Sequence, residues 1–331
     1  MKKISTLFLS LLFLFMGTAC ERKTNLIRIN EVTHSVFYAP LYLADSLGYF
    51  EEEGIQIELT NGGGADNTMA AVLSGSADIG FCGPEAALYV LVGGSTDVPK
   101  VIGQLTKRDG SFLVSRKEEP SFRWEDLKDK EILAGRKGGV PAMTFEYVLN
   151  SHSLYNGVNT RLNYDVAFNL MTSAFEAGTA DYCTMFEPVA SEYQAAGKGY
   201  IVASVGEASG EVPYTCFLAK ESWISANESK VEAFLRAVTK ATKYAMEADT
   251  TEIASLLVKH FESTSLASLR TSVESYRRID AWMTNLSMTE DSFNRLQDII
   301  ANAGELSRRA TLSELVLNDY AESAYRAIYK G

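Results

Sequence analysis

The feature that most constrains the fold is a regular alternation of strand and helix patterns that begins at residue 26. Residues 26–31 and 55–59 alternate apolar and polar side chains, which is typical of strands with one buried face. Segments with apolar residues at helical spacing follow at 38–47 and 66–73, and Gly48 marks a helix end. Strands that alternate with helices predict βαβ units and a mainly parallel sheet.

The alternation continues to about residue 205 and then gives way to helices alone. The predicted strands are 77–81, 98–106, 131–134, 180–186, 201–205 and 214–219, and helices are predicted at 84–91, from 138 to about 150, at 166–178 and from 187. Further amphipathic helices are predicted at 228–247, 251–260, 266–279, 289–303 and 312–329. The pattern therefore predicts an α/β protein with a helical C-terminal tail packed on it.

In a parallel sheet, ligands bind in the crevice beyond the carboxyl ends of the strands. That rule points to the four loops that follow the first predicted strands. These loops are 33–37, 61–66, 82–85 and 107–111.

The first 19 residues predict an export signal. Lys2 and Lys3 precede an apolar stretch, 4–16, which is shorter than the roughly 18 residues of a membrane-spanning helix. Cys20 follows small residues, as in bacterial lipoprotein signals, although Gly17 stands where those signals usually have Leu. We expect removal of residues 1–19 and lipidation of Cys20, with a plain secretory signal as the alternative.

Residues 20–25 would then be a polar tether to the membrane. Without residues 1–19, the chain has 29 basic and 42 acidic residues. This acidic balance argues against binding nucleic acid and against charge-driven adsorption to anionic lipid.

The cysteines predict neither a metal site nor a disulfide framework. With Cys20 lipidated, Cys82, Cys183 and Cys216 remain, and none of them belongs to a CxxC pair. We expect buried thiols, and the sequence leaves open whether two of them pair. We expect no metal and no cofactor.

Five short motifs occur in an order that resembles one family. They are YAPLYLA at 38–44, LGYFEEEGI at 47–55, SGSADIG at 74–80, DLKDK at 126–130 and FEP at 186–188. In this order, over roughly residues 26–260, they resemble the solute-binding proteins of the sulfonate, nitrate and thiamine-precursor ABC importers. Asp129 stands where that family usually has Gly.

The resemblance implies a two-lobed, periplasmic-binding-protein-like (type II) α/β fold with mixed, mainly parallel sheets. One lobe would take residues 26–110 plus 211–331 and the other residues 111–210, with hinge strands near 108–116 and 207–215. Such proteins close around a ligand by hinge motion. The implied partners are a small molecule and the permease and ATPase subunits of an ABC importer. We expect a monomer that is held on the outer face of the cytoplasmic membrane by its lipid anchor.

Two glycine pairs are candidate ligand contacts, because backbone amides at a helix start can bind a polar ligand. Gly63 and Gly64 precede one predicted helix, and Gly138 and Gly139 precede another, just after Arg136. Simple turns are the alternative for both pairs.

Backbone contacts with the ligand are also predicted at Cys82 and Gly83, which follow the third strand. Tyr38 and Tyr214 could stack on a planar ligand, with ordinary packing as the alternative. His34 is a further candidate, with a structural hydrogen-bonded histidine as the alternative.

Glu187 is the candidate for ligand identity. A carboxylate at a strand end could accept hydrogen bonds from an amino-heterocycle. The resemblance implies the same role, because a Glu in this region is expected to hold the aminopyrimidine of thiamine precursors. A carboxylate that caps the following helix is the alternative.

We therefore expect a transport receptor and not an enzyme, with a thiamine-precursor pyrimidine as the best candidate ligand. A sulfonate, a nitrate-like anion or a flavin are alternatives. A pyrimidine-synthase-like enzyme is disfavoured because its iron chemistry needs a sacrificial His and clustered cysteines. This chain has no His between His34 and His152. A sensory or adhesive surface lipoprotein with the same fold stays open.

Overall fold

The computed structural model describes residues 25–330 of the 331-residue chain. The predicted signal peptide 1–19, the lipidation site Cys20 and tether residues 21–24 lie outside the described residues. Ten strands form two five-stranded sheets. They are β1 (Leu26–Glu31), β2 (Gln56–Asn61), β3 (Ile79–Cys82), β4 (Pro99–Thr106), β5 (Ser111–Ser115), β6 (Glu131–Leu133), β7 (Arg161–Leu162), β8 (Tyr182–Phe186), β9 (Tyr200–Ser204) and β10 (Thr215–Lys220).

Helices cover both sheets and form the C-terminal tail. They are α1 (Ala39–Ser46), α2 (Tyr49–Glu52), α3 (Ala65–Ser74), α4 (Glu85–Val92), α5 (Val140–Ser151), α6 (Met171–Glu176), α7 (Val189–Ala195), α8 (Val205–Ser209), α9 (Glu221–Ala226), α10 (Glu228–Glu247), α11 (Thr250–Leu257), α12 (Leu266–Arg278), α13 (Glu290–Asn302), α14 (Leu312–Leu315) and α15 (Asn318–Tyr329). Single 3-10 turns occur at Val36–Tyr38, Trp124–Leu127 and Phe168–Leu170.

The two sheets share one strand arrangement. Their orders are β2-β1-β3-β10-β4 and β7-β6-β8-β5-β9. In the first sheet β1 runs parallel to β2 and β3, while β10 is antiparallel to β3 and β4. In the second, β6 is parallel to β7 and β8, while β5 is antiparallel to β8 and β9. In each sheet, four of the five strands run in the same direction and one runs against them. Each sheet is therefore mixed and mainly parallel, which confirms the predicted fold class.

The chain crosses between the sheets twice, at 107–110 and again around 210–214. In each sheet the antiparallel strand is the one that the chain enters after a crossing: β5 after the first and β10 after the second. We call the part built on β1–β4 and β10 the first lobe and the part built on β5–β9 the second lobe.

Burial explains which strand patterns were visible in the sequence. Strand β1 alternates buried and half-buried residues, as its sequence predicts. Strand β3 is buried on both faces, so its sequence IGFC shows no alternation. The three cysteines among the described residues are free, buried thiols, and Cys82 lies opposite Cys216 across β3 and β10.

The C-terminal helices tie the two lobes together. Helix α10 has the predicted bounds and packs against α1 and α15, while its Phe234 contacts Phe50 of α2 and Phe217 of β10. Helices α12 and α13 reach the second lobe, where they pack against α7 and α5. In the described part of the chain, no helix combines the length and apolar character needed to cross a bilayer.

Two predicted helices were wrong in extent. The segment 312–329 is two helices, because Val316 forms a bridge with Val101 and the Leu317 N–H donates to the Val101 carbonyl at 2.8 Å. The segment 166–178 is helical only from Phe168, as a 3-10 turn followed by α6. Ala167, just before this turn, is extended and lines the cleft described next.

Candidate ligand-binding cleft

A cleft of about 210 Å³ lies between the two lobes. Residues of both lobes line it. From the first lobe these are Val32, Thr33, Tyr38, Gly63, Gly64, Ala65, Asp66, Asn67, Gly83, Glu85, Tyr214 and Thr215, and from the second Arg136, Gly139, Val140, Pro141, Ala167, Phe168 and Phe186.

The strand order explains why these residues meet. Parallel strands end at the same edge of a sheet, so the loops after β1, β2 and β3 are neighbours at the first lobe's edge. The loop after β6 and the end of β8 supply the opposite wall. Three of the four loops that the sequence pointed to contribute lining residues. The fourth, 107–111, is the first crossing between the lobes.

One wall of the cleft is the start of α3. Gly64 precedes the first turn with φ of 151°, a conformation that side chains other than glycine rarely adopt. The turn is fixed by the Asn61 side chain, which accepts from the Gly63 N–H at 2.8 Å, and by Asn67, which donates to the Gly62 carbonyl at 2.7 Å. Gly63, Gly64 and Ala65 of this turn line the cleft.

Aromatic rings form another wall. Phe168, Phe186 and Tyr214, which we call the aromatic row, have successive ring centroids 6.1 and 6.4 Å apart. Tyr38 also lines the cleft and stands edge-on to Phe81 at 4.5 Å. Such rings offer flat apolar area to a planar ligand.

Glu85, the first residue of α4, is the most unusual group in the cleft. Glu85 is only 1% exposed. The Oε1 atom accepts from the Val140 N–H of the opposite lobe at 3.2 Å, whereas Oε2 has no hydrogen-bond partner among residues 25–330. Burial raises the pKa of Glu85 to about 7, although hydrogen bonds from backbone N–H groups oppose the shift.

Gly83 makes room for that carboxylate. A Cβ atom at position 83 would lie 2.0 Å from Glu85 Oε2, so a larger residue would displace the side chain. The Gly83-Pro84-Glu85 sequence thus places an acid at the carboxyl end of β3, facing the cleft.

Other polar contacts join the lobes around the cleft. The Arg136 guanidinium pairs with Asp66 at 2.7 Å, and the Tyr89 hydroxyl donates to the Gly138 carbonyl at 2.9 Å. The lobes are therefore in contact across the cleft in this structure.

Six of the ten ligand-contact candidates lie in the cleft lining. They are Tyr38, Gly63, Gly64, Gly83, Gly139 and Tyr214. Cys82 is fully buried directly before Gly83. Gly138 lines a separate cavity of about 220 Å³ beside Glu146 and Glu305.

His34 and Glu187 line a third cavity of about 220 Å³, which shares Thr33, Phe168 and Phe186 with the cleft. His34 has the contacts of a structural histidine: its ring nitrogens lie 2.7 Å from Glu31 Oε1 and 2.8 Å from the His260 carbonyl. It also stacks on Phe261 with centroids 4.5 Å apart.

Glu187 has the contacts of a helix cap. Its carboxylate accepts from both the N–H and the hydroxyl of Ser191, at 2.9 and 2.6 Å, at the start of α7. Its backbone also bridges the lobes, since its carbonyl accepts from Ser35 Oγ and its N–H donates to the Tyr276 hydroxyl, both at 2.9 Å.

The sequence argument missed Glu85 and Phe168 as candidate contacts. A signal for Glu85 was available, because an acid directly after a Gly-Pro turn at the end of a parallel strand faces the ligand crevice. No comparable signal existed for Phe168, which lies in a segment with a helical pattern.

Comparison with known proteins agrees with this architecture. A family model described as NMT1/THI5 like matches residues 36–251. A candidate binding protein of Bacillus subtilis (strain 168), YtlA, is 38% identical over 315 residues, which cover 95% of this chain and 94% of YtlA. A 4-amino-5-hydroxymethyl-2-methylpyrimidine phosphate synthase of Aspergillus parasiticus is 26% identical, over 63% of each chain.

Two solved structures share the fold. The alkanesulfonate-binding protein SsuA of Xanthomonas axonopodis pv. citri, bound to MOPS, has a TM-score of 0.72 and 18% identity and covers 88% of this chain and 98% of its own. The periplasmic nitrate-binding protein NrtA of Synechocystis PCC 6803 has a TM-score of 0.76 and 14% identity, covering 93% and 90%. On the family match and the similarity to YtlA, this chain belongs to the NMT1/THI5-like family.

Proposed function

We propose that this chain is the exported solute-binding component of an ABC importer and that it captures a small, planar, amine-bearing molecule between its two lobes. A thiamine-precursor pyrimidine is the best candidate. The similarity to YtlA, a candidate binding protein, over 95% of this chain supports a binding role. Similar folds occur in an alkanesulfonate-binding protein and a nitrate-binding protein.

The charge of the cleft is the observation that carries the ligand class. Among the described lining residues, Asp66 and Glu85 are acidic and Arg136 is the one Lys or Arg. Because Arg136 already pairs with Asp66, no lining cation is left to balance an anionic ligand, whereas the aromatic row suits a planar ring. An alkyl sulfonate is the competing ligand, since the open backbone before α3 could bind an anion.

A thermal-shift panel tests the ligand class. The panel compares 4-amino-5-hydroxymethyl-2-methylpyrimidine with taurine, an alkyl sulfonate, nitrate and riboflavin. A ligand at 100 times its Kd adds about 2.7 kcal/mol to the free energy of unfolding, which a melting experiment detects easily. We expect a shift with the pyrimidine. A shift with the sulfonates alone would replace the pyrimidine by an anion.

The proposed location and motion follow from the same role. Lipidation of Cys20 would hold the protein on the outer face of the membrane, and residues 26–110 plus 211–331 would move against 111–210 about the two crossings. Cys20→Ser should release the protein from the membrane fraction of the producing cells. Retention of the variant would contradict the lipid anchor.

A further inference from the structure

We propose that Glu85 is the residue that selects the ligand, and that it selects a nitrogen that donates hydrogen bonds, such as an exocyclic amine, a protonated ring nitrogen or an amidine. This inference rests on the proposed receptor function, because it assigns the recognition step within the same cleft. It moves ligand recognition from Glu187, in the adjoining cavity, to the first residue of α4.

The two carboxylate oxygens of Glu85 have different surroundings. Oε1 is fixed by the Val140 N–H of the opposite lobe, which orients the group across the cleft. Oε2 has no partner among the described residues, and Glu85 itself lines the cleft. A buried carboxylate oxygen without a partner costs free energy, so an occupant that donates a hydrogen bond to it binds preferentially.

The hydrogen-bond donors around the cleft do not contact Glu85 Oε2. Arg136 donates to Asp66 and to the Lys137 carbonyl, at 2.7 and 3.0 Å. The Tyr89 hydroxyl donates to the Gly138 carbonyl. The Tyr38 hydroxyl interacts with Thr215. The Tyr214 hydroxyl lies near Asp109 but has no hydrogen-bond partner among the described residues. None of these groups donates to Glu85 Oε2, so we expect its donor to come from what fills the cleft.

Aromatic side chains line the same cleft as Glu85. The aromatic row lines the same cleft with its ring planes inclined to one another by 67° and 48°, so a planar ring that carries the donor can pack against one of these rings. A charge-assisted bond from nitrogen to a carboxylate is stronger than a neutral one. Glu187 offers no such vacancy, because Ser191 donates to both of its oxygens.

A calorimetric cycle tests the inference by changing the protein and the ligand separately. The probes are 4-amino-5-hydroxymethyl-2-methylpyrimidine and the same pyrimidine without its amino group. They are titrated into the wild type and Glu85→Gln, in which the amide can present a donor in place of an acceptor. We expect the variant to bind the amino compound at least about tenfold more weakly, and the compound without the amine equally well.

Matched variants separate recognition from folding. Glu146→Gln changes a half-buried glutamate outside the cleft and should leave both affinities unchanged. Gly83→Ala should weaken binding of the amino compound, because its Cβ displaces Glu85 Oε2. Without ligand, Glu85→Gln should melt no lower than the wild type, because it removes a buried charge that lacks a full set of partners.

Each result of these titrations either supports or contradicts the inference. Unchanged amino-compound affinity in Glu85→Gln, with a loss in Glu187→Gln, overturns the inference and leaves the receptor function standing. If neither pyrimidine binds, the pyrimidine proposal fails, and the same variant is titrated with whichever probe of the thermal-shift panel binds. Weaker binding of an N–H donor by Glu85→Gln then supports the inference, and unweakened binding of any panel probe overturns it. No response to any probe contradicts both proposals.

Discussion

Three glutamates are almost fully buried at the ends of strands, and each is surrounded differently. Glu31, 2% exposed, accepts hydrogen bonds from Tyr42 and contacts His34. Glu187 caps α7 through Ser191, and Glu85 keeps one oxygen without a partner. The sequence places all three at strand ends but cannot tell them apart, because the decisive partner of Glu85 is Val140, on the opposite lobe. The prediction of Glu187 rested on its place after an apolar strand and on the family resemblance, neither of which reports contacts between the lobes.

His34 should make stability depend on pH. Burial alone would lower the pKa of His34, but its hydrogen bonds to Glu31 and to the His260 carbonyl raise it overall. A raised pKa means that the stabilisation is complete below the unfolded-state value of about 6.5 and is lost as pH rises through the folded-state pKa. His34→Gln should therefore destabilise more at pH 5.5 than at pH 8.5, by under about 1 kcal/mol because the side chain is partly exposed.

Urea unfolding of the wild type and His34→Gln at both pH values measures this difference. An equal loss of unfolding free energy at the two pH values would contradict a charged His34–Glu31 pair. In a Glu31→Gln background the pH dependence contributed by His34 should shrink.

Capping by Glu187 predicts a second effect on stability. Ser191→Ala removes the hydroxyl that donates to Glu187 Oε1 but keeps the backbone N–H that donates to Oε2, whereas Glu187→Ala removes both hydrogen bonds. Each change should therefore cost about 1–2 kcal/mol, and Glu187→Ala the more. Their combined cost should be clearly less than additive, because the two changes share one interaction. Denaturant unfolding of the single and double variants measures it. Additive losses would show that the carboxylate has another partner.

At the scale of elements, long periodic segments could be predicted and short ones could not. Helix α10 was predicted to the residue because its apolar face repeats over 20 residues. Strand β7 is only two residues long and carries no pattern. The pattern of 312–329 predicted one helix. The bridge between Val316 and Val101 that interrupts it joins residues far apart in the sequence, so the local pattern does not show it.

The break between α14 and α15 can be tested directly. Leu317→Pro removes the N–H that donates to the Val101 carbonyl and should destabilise the protein by about 1–3 kcal/mol. Leu317→Ala keeps the N–H and shortens the same side chain, so it is the control for lost packing. Equal destabilisation by the two variants in thermal unfolding would show that the backbone contact contributes little.

At the scale of the whole molecule, the two lobes meet through contacts that surround the cleft. Arg136 and Asp66, from opposite lobes, pair at 2.7 Å, and Glu85 accepts a hydrogen bond from the Val140 N–H of the second lobe. The two lobes were expected from the family resemblance, which rests on short motifs in a fixed order along the chain. It could not predict how the lobes touch, since those contacts depend on the relative placement of the two sheets.

If closure holds the ligand, the Arg136–Asp66 pair should slow its release. Arg136→Ala should raise the dissociation rate by up to about fivefold, an effect that added salt reduces in the wild type because the pair is partly exposed. Arg123→Ala is the control, because Arg123 pairs with Asp126 within the second lobe. Stopped-flow measurement of ligand release compares the wild type, Arg136→Ala and Arg123→Ala. Equal dissociation rates in the three proteins would show that the Arg136–Asp66 pair does not slow release.

The most direct measurement of the central claim is a crystal structure of the protein grown with 4-amino-5-hydroxymethyl-2-methylpyrimidine. We expect the ring in the cleft beside the aromatic row, with its amine about 3 Å from Glu85 Oε2 and both lobes in contact with it. A ring bound instead against Glu187, or no pyrimidine in the cleft, would contradict the account.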